Sequence, residues 1–423
     1  MKKRKVFYGW WIVAGGVLMT ATMIPPVVAL FNKFQLQVVE QLNISRSAFT
    51  LGNTILQGLG IFLSPFISKK LAKGNMHLIQ SVGVLVFALA YGCYSFSTNI
   101  IHFYLLSIVL GVTYLTSTVI PISMMITNWF QKKRGLAMSI AMTGIGLGGV
   151  VLSPLVTWIL ENDNLGWRVG YRVLALIMLV IALPISAFVM RKSPEDKGLK
   201  PYGAEENDKA STGAKIVDTG VKMSVKASYS KLFFILLLIG MLANGLVNSG
   251  ALGQFPPALE TMHSAQLQAT IISLYSFVGI FGKLILGWIN DKFGVVVSSI
   301  FGCGFFTLAF VFMLLGSNPS MLYIMAICFG LGMPVGSVSP PLVVSAVYGS
   351  EKYGEAYGIT NSVMQLGMSL GSLMVALIYD TTGNYQIAWV LLFILGIVTL
   401  IGWVGSYLTS RKYTDSPKVS VSN

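Results

Sequence analysis

Twelve runs of roughly twenty apolar residues, separated by polar stretches, leave this sequence little choice of fold. About 20 residues of helix cross the ~30 Å hydrocarbon core of a bilayer. No water in that core can satisfy backbone N–H and C=O groups, so each run must be helical. The runs lie near residues 8–31, 47–68, 76–97, 101–127, 135–160 and 169–190, then 231–255, 266–290, 295–316, 320–347, 357–379 and 387–409. Composition agrees: 54% of the residues are hydrophobic and 10% charged, with a mean hydropathy of +0.73. An ordinary soluble domain is about 25% charged. The first run exceeds the core of about 7–15 residues in a signal peptide and lacks a convincing cleavage site, so it is expected to remain as the first helix.

Between the two sets lies a polar segment, 191–230, rich in Gly, Pro and mixed charge, which is expected to be a flexible linker. The expected organisation is a six-helix unit (1–190), the linker, a second six-helix unit (231–410) and a tail (411–423). Of the 29 Lys and Arg, 24 fall on the side of the N-terminus, the linker and the tail; Lys33, Arg46, Arg168 and Arg172 fall on the other, and Lys283 on neither. By the positive-inside rule both termini should be cytoplasmic in a multi-pass protein of the plasma membrane. Because the basic residues sit in short loops between apolar spans, the net charge of +14 does not point to nucleic acid. Cys93, Cys303 and Cys328 stand singly in apolar runs, which supports neither a disulfide framework nor a metal site.

Lys283 is the anomaly. It lies within an apolar run from about Leu274 to Trp288, where a central lysine costs roughly 2.5–3.5 kcal/mol on insertion scales. None of the 15 acidic residues is predicted inside the membrane, so no internal carboxylate is available to pair with it. Snorkelling is the bland alternative. Asp291 at the interface is eight residues on, however, about 12 Å of helix, which is a long reach. A substrate anion is the better partner. Neutral polar groups could complete a site: Tyr275 and Ser276 at seven to eight residues from Lys283, Tyr114 on the fourth helix, Asn244 and Asn248 on the seventh, Asn53 and Gln57 on the second, and Asn361 and Gln365 on the eleventh. In lipid such residues either line a cavity or bond helix to helix.

The halves echo each other: "PFISKKLA" (65–72) follows the second run and "GWINDKFG" (287–294) the eighth. With "FYGWWIV" (7–13) and "NWFQKKRGLAMSIAMTGIGLGG" (128–149), these stretches resemble the major facilitator superfamily, and within it the monocarboxylate-transporter and oxalate–formate-antiporter branch. The resemblance covers the chain apart from the linker. It implies an all-α membrane protein of twelve transmembrane helices in two pseudo-symmetric six-helix bundles, working by alternating access. The basic cluster Lys132, Lys133 and Arg134, together with Gly287, Asp291 and Lys292, would belong to gating motifs or simply fix topology. Gly144 and Gly148, with Ala137 and Ala141, suit either a sliding interface or static packing.

In that branch a basic residue on the eighth helix, four residues before a small one, holds the substrate carboxylate; here these are Lys283 and Gly287. Gly279 and Pro26 stand where animal relatives carry an aspartate and a lysine, which puts proton symport in doubt. The eleventh-helix segment 358–372 has no second lysine, which favours a monocarboxylate over a dicarboxylate. The expected function is transport of an acid such as lactate, pyruvate or formate, coupled to protons or to a counter-anion, by a monomer without a cofactor. A dicarboxylate, drug or sugar transporter and a transporter-like sensor are the alternatives. No Ser-His-Asp or Cys-His arrangement and no Gly-Lys-Ser/Thr phosphate loop is present, so neither an enzyme nor a built-in ATPase is expected; His77, His102 and His263 lie in loops or at helix ends.

Overall fold

The computed structural model describes residues 7–28, 30–162, 165–204, 220–262 and 264–414. The acidic run of the expected linker (Glu205, Glu206, Asp208, Asp218), its neighbours and the end of the tail lie outside the described residues. Twelve long helices account for nearly everything else: α1 (Gly9–Val28), α2 (Arg46–Lys73), α3 (Met76–Phe96), α4 (Ile100–Trp129), α5 (Arg134–Glu161), α6 (Gly166–Val189), α7 (Leu232–Met262), α8 (265–293), α9 (295–314), α10 (319–348), α11 (350–382) and α12 (Gln386–Ser410). Large apolar side chains point outward from them, among them Phe62 at 71% and Phe188 at 73% exposure. Such surface is tolerated in lipid and would drive association in water.

Local chemistry sets the ends. Ser45, Asn75, Asn99 and Ser264 accept backbone N–H bonds in the first turns of α2, α3, α4 and α8. Two expected loops shrink to one residue each. Gly294 (φ 84°) separates α8 from α9 and Gly349 (φ 68°) separates α10 from α11, positions where a side chain would be strained. The expected run 320–347 is also interrupted, because Met333–Gly336, containing Pro334, forms a 3₁₀ turn within α10. α11 correspondingly starts seven residues earlier than its apolar run.

The linker is not free at its described ends. Tyr202 exchanges backbone bonds with the α4–α5 junction (Tyr202 N to Trp129 O, 2.8 Å; Gln131 N to Tyr202 O, 3.1 Å). Beyond the undescribed part, Val221 N bonds Val347 O at 3.0 Å, and Lys352 Nζ donates to the carbonyls of Val221 (2.7 Å) and Lys222 (2.8 Å). Backbone polar groups at a membrane face need partners, and these junctions supply them.

Within the first six helices α1 packs on α5 and α2 on α4; within the last six, α7 packs on α11 and α12, and α8 on α10. Two main seams join the sets, α5 with α8 and α2 with α11, and α4 also meets α11 where Met124 lies against Gly354. Gly144 and Gly148 turn out to serve the α1–α5 packing inside the first set. A Cβ at Gly144 would run into Val17 O and Thr20, and one at Gly148 into the backbone of Ala21. Gly148→Leu should therefore destabilise folding by about 3 kcal/mol, near the upper range for overpacking. Thermal unfolding in detergent checks this, with the midpoint falling by roughly 3–4 °C.

Candidate functional site

On an α-helix residues 135, 139, 142, 146, 149, 153 and 157 share one broad face. On α5 that face looks across the seam at α8. Starting from the linker side, a Cβ at Gly135 would meet Gly287 O at 2.5 Å, and a Cβ at Gly287 would clash with Ser139. One turn up, Lys283 Nζ donates to Met142 O at 3.2 Å. At Gly146 the nearest atom is the side chain of Ile280 at 3.6 Å, and at Gly149 nothing lies within 4 Å. The second seam behaves alike. Gly358 of α11 meets Ser68 of α2, Asn361 Nδ2 donates to Ser64 Oγ at 3.0 Å, and Ser362 Oγ bonds the carbonyl of Ile61. A Cβ at Gly60 would meet Gln365 Nε2 at 3.1 Å. Both seams are thus closed on the linker side, and the α5–α8 seam parts above Ile280.

Lys283 sits just below the point where the α5–α8 seam parts. It is 5% exposed, and no carboxylate among the described residues accepts from it. Its head crosses to α5 instead of turning to the linker face, so it does not snorkel. A buried ammonium with a single neutral carbonyl partner is poorly compensated and leaves two donors for a ligand. The partner was invisible in the sequence, since any residue type at position 142 offers the same carbonyl.

Below Lys283 the seam is latched. Asp291 at the end of α8 accepts from Gly135 N at 2.6 Å and Leu136 N at 2.7 Å, in the first turn of α5. A carboxylate there satisfies orphan donors and meets the positive end of the helix dipole. Of the basic cluster, Arg134 caps the end of α4 (Nε to Phe130 O, 2.9 Å; Nη2 to Thr127 O, 3.1 Å). Lys133 takes the left-handed conformation, φ 59°, and Lys292 lies over the Trp288 ring at 5.0 Å. Lys132, Lys133, Arg134, Asp291 and Lys292 all line a cavity of ≈1080 Å³ at the linker face, of which Lys283 is not part. Asp291→Asn should remove about 1–2 kcal/mol of charge-assisted bonding. Spin-label distances across the α5–α8 linker ends should then show an open population raised about tenfold.

The other candidates scatter. Tyr275 does not share a neighbour with Lys283: its ring packs edge-on against Phe329 of α10, 5.1 Å between centroids. This corrects the shared-face expectation, because eight residues is 80° past two full turns. Ser276 is exposed above the closed seam and donates to Ile272 O at 2.7 Å. Gln57 is half-buried one turn above Gly60. Asn361 and Gln365 belong to the α2–α11 seam, not to the surroundings of Lys283. Asn248 is buried against Gly336 in the α10 turn, and Asn244 reaches only Met364 Sδ at 3.5 Å, with its own oxygen unpartnered. Tyr114 is half-buried with its ring 6.2 Å from Phe87, inside the first set. The residues missed by sequence reasoning are Met142, Ser64 and Ser139, none of which is unusual for a membrane helix.

The family model described as Major Facilitator Superfamily matches residues 6–256 and 237–422. Human monocarboxylate transporter 12 is 23% identical over 416 residues, 91% of this chain and 77% of that protein. The gentisate transporter of Corynebacterium glutamicum is 24% identical over 356 residues, 80% and 74% of the two chains. The crystal structure of the human organic anion transporter MFSD10 shares the fold, with TM-score 0.68, 14% identity and coverage of 94% and 98%. The chain therefore belongs to the Major Facilitator Superfamily, a family of multi-pass membrane transporters of small solutes and not of enzymes.

Proposed function

We propose that this protein carries a small monocarboxylate anion of the lactate, pyruvate or formate type across the plasma membrane, with Lys283 as the anion's counter-ion. The observation that carries the reading is a buried cation, without a carboxylate partner among the described residues, just below the point where the α5–α8 seam parts. A carboxylate descending the open side would take the ammonium from Met142 O and replace a neutral bond with a charge-assisted one. Lysine is a point charge, so one such residue matches one carboxylate group. Similarity to proteins named monocarboxylate transporters supports the same class.

With both termini cytoplasmic, the latched face is the inner one and the open side faces outward. The bundles 1–190 and 231–410 rock about the two seams, Asp291 releasing the first turn of α5 as the inner face opens. Energy comes from a proton or counter-anion gradient, with Lys283 able to exchange a proton itself.

Uptake of radiolabelled lactate, pyruvate, formate and oxalate into proteoliposomes tests this, with and without a pH gradient and an internal anion. At least one monocarboxylate should accumulate faster than oxalate, and the gradient that drives it names the coupling. Faster oxalate flux would overturn the one-cation argument, and no flux of any acid would overturn the substrate class.

A further inference from the structure

A second cation meets the same face of α5, at its far end. Lys33, in the segment between α1 and α2, is exposed. Its Nζ donates to Thr157 Oγ1 at 2.5 Å and to Ser153 O at 3.4 Å. Ser153 and Thr157 continue the face that carries Gly149, Gly146 and Met142. Lys33 therefore stands at the rim of the open side, 15 residues or about 22 Å up α5 from the carbonyl that holds Lys283.

Its neighbours of like charge are turned away. Arg168 donates to Ser95 O at 2.6 Å and Ser97 O at 3.2 Å, and Arg172 donates to Ser95 Oγ at 3.0 Å, all within the first six helices. Among the described residues the acids of this side, Glu40, Glu161 and Asp380, are exposed and do not pair with Lys33. Lys33 keeps one donor unused, and the wall below it is bare glycine as far as Gly146.

We propose that Lys33 is an outer subsite for the transported anion, a rim cation that captures a carboxylate before it descends α5 to Lys283. It rests on the reading that the solute is an anion. A cation at the mouth of a cleft walled by low-dielectric material raises the local anion concentration and the association rate, and salt weakens the effect.

The test uses a reporter on the bare wall. Gly149→Cys is introduced into full-length protein carrying Cys93→Ala, Cys303→Ala and Cys328→Ala, in neutral detergent. Labelling rates are compared for a thiol-reactive sulfonate and a trimethylammonium reagent of similar size. At low salt Lys33→Gln, which keeps a donor for Thr157, should lower the anion-to-cation rate ratio about three- to tenfold, and Lys33→Arg should preserve it. The difference should vanish near 1 M salt, where the Debye length is about 3 Å. Labelling by a neutral maleimide at the parent rate shows that the fold is intact. A Lys33→Gln ratio within twofold of the parent at low salt would overturn the subsite. This readout needs no transported acid, so it stands apart from failure of the carboxylate reading. Where an acid is carried, Lys33→Gln should raise KM severalfold for uptake from the open side and leave kcat unchanged.

Discussion

Lys283→Ala is expected to lower uptake of the carried acid about 100-fold or more. Removing one partner of a buried charge pair typically costs 2–5 kcal/mol, and 100-fold corresponds to about 2.7 kcal/mol. The loss should be selective, since Lys283 is bonded only to Met142 O and its truncation breaks no internal ion pair. Folding should be preserved or improved, because a poorly compensated buried ammonium is itself unfavourable. Lys283→Arg keeps the charge but brings a larger planar fork into a position 5% exposed, so an intermediate loss of about tenfold is expected. Initial rates in proteoliposomes for the three proteins, matched for reconstituted amount, decide the matter. Uptake within twofold of wild type in Lys283→Ala would remove this residue from the site and the carboxylate argument with it.

Gly287→Leu should abolish transport by a different route. A Cβ at this position already overlaps Ser139 and lies 2.5 Å from Gly135 O, so a leucine cannot fit while α5 and α8 are closed. The Ser139 hydroxyl could turn aside, but the Gly135 carbonyl and the Ser139 Cβ, 2.7 Å away, cannot rotate away. An overpacking penalty of about 3 kcal/mol, placed on one conformation only, changes a two-state ratio by more than 100-fold. The penalty is absent once the seam opens, so the six-helix sets keep their own packing and the protein should still fold. Expected results are uptake at least 100-fold below wild type, a near-parental thermal midpoint, and a linker side open to thiol reagents. Wild-type flux in this variant would show that the seam need not close during transport.

The helix count, the lone membrane lysine and the glycine–aspartate motif were legible because each is a property of residue type along the chain. Hydropathy runs yield twelve crossings directly, though the seven-residue error at the start of α11 shows where they fail. Residues 350–356 are polar enough to look like loop, and Gly349 makes the turn alone. Lys283 stood out since nothing else in its run is charged. Asp291 could be nominated from its motif, while its partners, two backbone N–H groups 155 residues or more away, could not.

Tertiary structure decided which faces meet. Helical periodicity groups Gly135, Met142 and Gly149 on one side of α5 and Gly144 and Gly148 on another, but does not say which neighbour each side receives. Only the packed arrangement assigns the first group to a seam between the sets and the second to α1. The same holds for Asn361, for which sequence reasoning left cavity lining and a helix-to-helix bond open and which the structure engages with Ser64. Sequence alone determined that a cation must lie in the membrane without an internal acid, since charge and hydropathy are local. That it rests against a carbonyl of α5, just below the point where the α5–α8 seam parts, follows from contacts between segments 141 residues apart, which local patterns do not encode.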